Sequence, residues 1–301
     1  MAGPSKQQFL SEIHNVLKER YPIESGPPPK LTVLEAVIFG ICREGTTRDQ
    51  ANQALSRFKL NFFDMNEVRV SAIAEIQECL AGIPQPEERA QRIRKFLRQL
   101  FNHIIENSEK IRLEHVLDPL IKKPLKDALK VLEQFEALTS DYVSATVVQL
   151  ALGGHAIPLD NETRRALEQL GVADSGMDAQ ALRGLLERAV PKQRAVEFIT
   201  LIEELAHETR VDAKSNGRAS DALHQVIVKV NERLNPGAVV EFKAAKPSPP
   251  DANDEGAATG KAASSAKASA SRSKPSATAP APLPAAAEPS KAAKPRSPRP
   301  K

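Results

Sequence analysis

The residues best equipped for chemistry lie within one run, LTSDYVSATVVQLALGGHAIPLDNETRR, from Leu138 to Arg165. A carboxylate, Asp160, stands at what reads as a helix start, with the phenol of Tyr142 upstream and the guanidinium of Arg165 about one turn downstream. A carboxylate fixed at a helix start can stabilise positive charge as it develops on a reacting group, or activate a water. Asp-Asn-Glu-Thr is equally an ordinary capping sequence, in which the aspartate only accepts from backbone amides. Residue types alone leave both readings open.

Two helices must position this carboxylate. Ser140 or Asp141 caps the first, Val143, Val147, Val148, Leu150 and Leu152 fill it, and Gly153-Gly154 ends it where positive φ is needed. Pro158 locks its own φ and pushes Ile157 towards extended geometry, so the connector fixes where Asp160 points. Helical periodicity extends outward from this pair. The run from Leu31 to Cys42 is apolar enough for a buried helix, Gly45 breaks it, and Thr46 or Thr47 caps a successor carrying Ala51, Ala54, Leu55 and Phe58. Val70, Ile73, Ile76 and Leu80 form a third apolar face, and Glu87 to Ile105 forms the longest helix. Shorter helices are expected at Val116 to Leu120 and Pro124 to Phe135. Later ones cover Leu182 to Val190, Pro191 to His207 and Ala219 to Leu234. Only Val239 to Phe242 reads as strand, so the folded part is all-α.

The layout resembles the core of the helix-hairpin-helix (HhH-GPD) DNA glycosylases, the endonuclease III-like family. That family's pattern is a Leu-Pro-Gly-Val-Gly hairpin, a helix opening near Lys, Ser or Tyr, a closing Gly, and Val-Asp-Thr-His leading to Arg. Without gaps, the closing glycine falls on Gly153, the essential aspartate on Asp160, the arginine on Arg165 and the helix-opening residue on Tyr142. Gly82 with Ala90 and Ile93 resembles a further family segment, and the likeness covers roughly residues 30 to 210. It implies a two-lobed, all-α helix-hairpin-helix glycosylase fold, and a base-excision repair protein that binds double-stranded DNA.

As the resemblance has it, Asp160 serves hydrolysis of the N-glycosidic bond to a flipped, damaged or mismatched base, and Tyr142 lines the pocket. A phenol cannot form a Schiff base, so lyase activity is not expected and the implied enzyme is monofunctional. Thr139 and Ser140 stand at the hairpin that holds a DNA phosphate. Glu44, Thr46 and Thr47 occupy the loop that fills the gap left by the flipped base, and Arg165 adds a DNA contact. Several positions depart from the pattern. The hairpin glycines are replaced by Leu138, Thr139, Ser140 and Asp141, the loop glutamine is missing, and Asn161-Glu162 follows Asp160. An aspartate at the hairpin would repel the phosphate. The alternative implied by these departures is a catalytically inactive relative that binds DNA or chromosome without sequence preference. A helical protein-interaction module unrelated to DNA is a third reading.

Charge and cysteines bound the remaining choices. The chain of 301 residues carries a net +4, yet from Gly256 onward nine Lys or Arg face only Glu288, which leaves residues 1–255 at about −4. The basic footprint therefore lies in the segment ending KAAKPRSPRPK, where Lys294, Arg296 and Arg299 are candidate phosphate contacts. Residues 243–301, rich in Ala, Lys, Pro and Ser, are expected to form a disordered basic tail; 1–29 reads as an amphipathic helix with a Pro-rich connector, and 30–242 as the glycosylase domain. Absent tryptophan and only two tyrosines argue against aromatic base-stacking platforms. Cys42 and Cys79 read as buried small hydrophobes; with no cysteine in residues 196–242, the iron–sulfur cluster of many relatives is not expected, nor any metal or other cofactor. No run suits a membrane span or a secretion signal. The expected protein is a cytoplasmic monomer, nucleoid-associated if bacterial.

Overall fold

The computed structural model describes residues 5–23, 30–106, 112–174, 176–216 and 221–235, and among these every regular element is helical. In chain order they are α1 (Lys6–Arg20), α2 (Val33–Arg43), α3 (Arg48–Asn61), α4 (Met65–Val70), α5 (Ile73–Cys79), α6 (Pro86–Glu106), α7 (Leu125–Leu132), α8 (Asp141–Leu150), α9 (Asn161–Gln169), α10 (Ala179–Ala189), α11 (Lys192–Asn216) and α12 (Asp221–Leu234). Three 3-10 turns, Leu113–His115, Asp118–Lys122 and Glu136–Thr139, link α6 to α8.

Two cores form the two lobes. In the first, α2 is apolar on nearly every side, so it cannot face water and becomes the central rod, packed against α3, α6 and α8. Gly40 makes the α2–α8 approach possible: a Cβ there would stand 3.3 Å from Val143 Cγ1. The second core joins α1 to α9, α10, α11 and α12. Leu10, Ile13, Val16 and Leu17 of α1 are buried in it. At roughly 1.5–3 kcal/mol per side chain, that burial holds the N-terminal helix on α11 and α12. Capping boxes start α1 (Ser5 with Gln8), α2 (Thr32 with Glu35) and α3 (Thr47 with Gln50), each satisfying two of the amides a helix start leaves unpaired.

Three local differences from the sequence reading have physical causes. The apolar face from Val70 to Leu80 is split between α4 and α5, because Ser71 closes the first and Glu75 opens the second: Ser71 Oγ donates to the Glu67 carbonyl and Ala72 N–H to Glu75 Oε2 at 2.8 Å. The helix expected at Val116 to Leu120 is a pair of 3-10 turns, Pro119 lying inside the second. The last core helix runs past His207 to Asn216. The glycine pair closing α8 works in two ways. Gly153 adopts φ +63, whereas a Cβ on Gly154 would come within 2.4 Å of Val148 Cγ1, so the second glycine is required by packing. The strand expected at Val239 to Phe242 and the tail lie outside the described residues.

Candidate functional site

The site is assembled where the end of α2 meets the start of α9. α2 stops at Arg43 because Gly45 turns the chain at φ +69, and Thr46 Oγ1 donates back to the carbonyls of Cys42 (2.8 Å) and Arg43 (3.1 Å). The turn presents the Gly45 amide to Asp160. Asp160 Oδ2 accepts from Gly45 N at 2.8 Å, and Oδ1 accepts from Thr163 N at 2.7 Å, capping α9. Both carboxylate oxygens are thus held by backbone amides, one from each lobe. The side chain is half-buried, and the positive end of α9 adds to its stabilisation.

Behind the carboxylate lies a polar cluster sealed from water. Arg43 is 1% exposed, Tyr142 2%, Thr200 0% and Glu203 4%. Arg43 donates through Nε to Glu203 Oε2 at 2.9 Å and through a terminal nitrogen to the same oxygen at 2.5 Å and to Thr200 Oγ1 at 2.9 Å. Tyr142 OH donates to Glu203 Oε1 at 2.7 Å. α2 and α8 of the first lobe are thereby bonded to α11 of the second. Burial pushes Glu203 up to about 7; the Asp160 charge adds to this, while Arg43 and the Tyr142 hydroxyl oppose it. Burial also pushes the Tyr142 phenol well above its ordinary range, aided by the Glu203 charge. The Arg43 guanidinium stays above its usual value despite burial, because Glu203, Tyr142 and Asp160 all favour the cation.

The sequence-derived candidates fall into separate places. Tyr142, expected at a pocket wall, points inward with its hydroxyl committed to Glu203. Thr46 and Thr47, expected to face nucleic acid, are buried, one hydroxyl closing α2 and the other opening α3. Glu44 is half-exposed, accepting from Arg92 and from Ser140 Oγ, each at 2.9 Å. Thr139 is exposed, its hydroxyl donating to the Glu136 carbonyl at 2.7 Å. Glu44, Thr139 and Ser140 do converge, on an open cleft of about 510 Å³ flanked by α6. Its cations are neutralised: Arg92 pairs with Glu44 and Lys95 with Glu136. Arg165 is exposed on α9. Lys294, Arg296 and Arg299 lie outside the described residues.

Sequence reasoning missed Arg43, Thr200, Glu203 and Arg89. A signal existed for Glu203: it shares a helical face with the apolar Ile199, Ile202 and Ala206, where a carboxylate needs a buried partner. Arg89 is 6% exposed and donates to the carbonyls of Ile41, Glu44 and Pro84, closing the end of α2 from the α6 side. Cys42 behaves as read, a buried thiol pushed up to about 12 by desolvation. Among the described residues no group of three or more His, Cys, Asp or Glu is placed to hold a metal ion, and no helix is long and apolar enough to cross a membrane.

No protein-family model and no curated protein matches the chain in sequence. In structure it is similar to a non-covalent endonuclease III–DNA complex, with 15% identity, TM-score 0.50, and 77% of this chain aligned to 99% of that one. The chain has the fold of endonuclease III. A trapped endonuclease III–DNA covalent intermediate (15% identity, TM-score 0.49, 77% of this chain and 99% of that one) is also similar. So is a thermostable thymine-DNA glycosylase, at 17% identity and TM-score 0.46 over 67% of this chain and 86% of that one. On the endonuclease III fold, then, this chain carries an interlobe cluster of buried charge beside its helix-capping aspartate.

Proposed function

We propose that this is a catalytically silent protein of glycosylase fold that associates with double-stranded DNA and leaves the N-glycosidic bond intact. One observation carries the reading. Asp160 has both oxygens on backbone amides, and the groups within reach of its charge are Arg43, Tyr142 and Glu203, packed together at 4% exposure or less. A base-removing carboxylate needs room for a flipped nucleotide beside it. The known nucleic-acid complexes of this fold and the excess of cations after residue 256 support DNA as the partner. In this reading the grip comes from the basic segment, Lys294, Arg296 and Arg299 included, since phosphate contacts need no base recognition. Residues 1–255, at about −4, contribute little. The protein acts as a monomer in the cytoplasm, on the nucleoid if its source is bacterial.

The test has two arms. Full-length chain is incubated with duplexes holding mismatched, oxidised or alkylated bases, and abasic sites are revealed by alkali; no release above that of Asp160→Asn is expected. Binding of an undamaged duplex is then compared between the whole chain and residues 1–242. Truncation is expected to abolish binding together with its salt dependence, and equal binding by the truncated chain refutes the reading. A second reading, a monofunctional glycosylase, is favoured by the placement of Asp160 at the α9 start. Base release that disappears in Asp160→Asn would establish it in place of the first.

A further inference from the structure

We propose that the corner formed by the Asp118–Lys122 turn and the start of α7 is a docking surface for an acidic protein segment that carries an apolar side chain. Residues 121–132 hold four lysines against Asp127 alone, a local +3 within residues 1–255, which total about −4. Lys122, Lys123, Lys126 and Lys130 are all exposed, and among the described residues none of them has an ion-pair partner, nor has Asp127. Lys126 and Lys130 stand one turn apart, a like-charge pair that destabilises a helix of only 8 residues. An anion brought from outside relieves that repulsion.

Two apolar side chains lie among these cations. Ile121 is 46% exposed and Leu125 39%. Leu125 abuts the glycine turn that ends α8: a Cβ on Gly154 would come within 3.2 Å of Leu125 Cδ2. Lys192, exposed at the start of α11, donates to the Gly153 carbonyl of that same turn at 2.6 Å. A fifth ammonium thus borders the patch from the second lobe. On the inner side Leu129 packs on Ala145, Val148 and Ala156, so α7 is held against α8 and presents its lysines from a fixed backing.

The chemistry of this surface selects among anionic partners. A duplex presents phosphate and sugar along its backbone, and neither shields Ile121 and Leu125 from water. A lipid surface takes up apolar side chains that project into it, whereas Ile121 and Leu125 already have more than half of their surface packed against the protein. A shallow apolar floor bordered by ammonium groups fits a peptide whose carboxylates meet the lysines while a leucine-like side chain covers the floor. Ammonium groups hold carboxylates as point charges without a fixed fork geometry, so the segment is recognised by its composition.

The probe is a fluorescein-labelled peptide of glutamates flanking a Leu-Leu pair, added to the full chain and followed by anisotropy; a companion peptide has serines in place of the leucines. The leucine peptide should bind with Kd on the order of 100 µM, more weakly as salt is raised, and the serine peptide about tenfold more weakly still. Lys126→Glu together with Lys130→Glu reverses the charge but keeps a like-charge pair one turn apart, so the melting temperature should hold while binding weakens about tenfold. Ile121→Ser should bring the leucine peptide down to the level of the serine peptide. Carbodiimide coupling and peptide mapping should place adducts on Lys122, Lys123 and Lys126. Binding untouched by the charge reversal, with adducts only beyond residue 256, belongs to the basic segment there and overturns the surface. Equal binding of the two peptides overturns the apolar contact. A charge-reversed chain that also loses duplex or phosphatidylserine vesicles has lost a general anion site, which overturns the peptide assignment.

Discussion

Removing one partner from the Arg43–Glu203 pair should be among the most damaging substitutions this chain can receive, and removing both should be nearly harmless. Each group is at most 4% exposed, so neither can recover water when its partner goes. An unpaired buried charge costs about 3–5 kcal/mol, whereas well-packed apolar side chains of similar volume are neutral or better. Arg43→Met and Glu203→Met are therefore each expected to lower unfolding free energy by about 3–5 kcal/mol, which for a domain of this size is a Tm loss of roughly 6–20 °C. The double variant should return to within about 1–2 kcal/mol of the parent, a coupling of several kcal/mol. Urea unfolding at about pH 8, where Glu203 is ionised, supplies the values, and an unchanged m-value confirms that the same surface is exposed. Single variants costing less than about 1 kcal/mol, or a double variant equal to the sum of the singles, would show that the two lobes are not joined through this pair.

Three further outcomes follow from the same structure. Glu203 keeps its proton in the folded state up to about 7, while the unfolded chain releases it near 4.5. The Glu203 contribution to stability therefore falls as pH rises across that interval, and Glu203→Gln should remove this component of the profile; a profile unchanged by the substitution contradicts the assignment. Gly154→Ala should cost about 1–3 kcal/mol by overpacking against Val148, seen as a lower melting temperature, and a neutral result would mean that α8 ends less tightly. Cys42 and Cys79 are fully buried with raised thiol values, so an aromatic disulfide reagent should label neither in the native chain and both in denaturant; prompt native labelling would show that the first core opens.

The helices were legible because apolar spacing records which face is buried, and a buried face was needed at α2, α3, α6, α8, α10 and α11 alike. The carboxylate at a helix start was legible for a local reason, since capping is settled within three residues. The cluster behind it was not. Arg43 and Glu203 are 160 positions apart, and no periodicity says which buried cation answers which buried anion. Tyr142 illustrates the limit. Its place at the opening of α8 could be read, but its direction depends on whether α11 offers an acceptor, and Glu203 does. The hydroxyls of Thr46 and Thr47 were equally hard to read: a hydroxyl next to a helix end has a nearby backbone partner whenever the turn closes tightly.

Retention of the Asp160 spacing does not require chemistry, because the two amide bonds already give the side chain structural work. An N-cap is worth about 1 kcal/mol and a hydrogen bond to a charged group about 1.5–3 kcal/mol, so together they amount to a large share of the 5–15 kcal/mol typical of a whole domain. Both partners are donors, and asparagine offers one oxygen where aspartate offers two. Asp160→Asn should therefore keep the α9 cap or the Gly45 tie but not both, at a cost of about 1–2 kcal/mol. Asp160→Ala should lose both, at about 2–4 kcal/mol. A carboxylate kept for catalysis behaves in the opposite way, since strained functional groups commonly gain stability when neutralised. If chemical denaturation finds Asp160→Asn as stable as the parent or more so, the aspartate is not the tie between α2 and α9, and a catalytic account of the site regains the advantage.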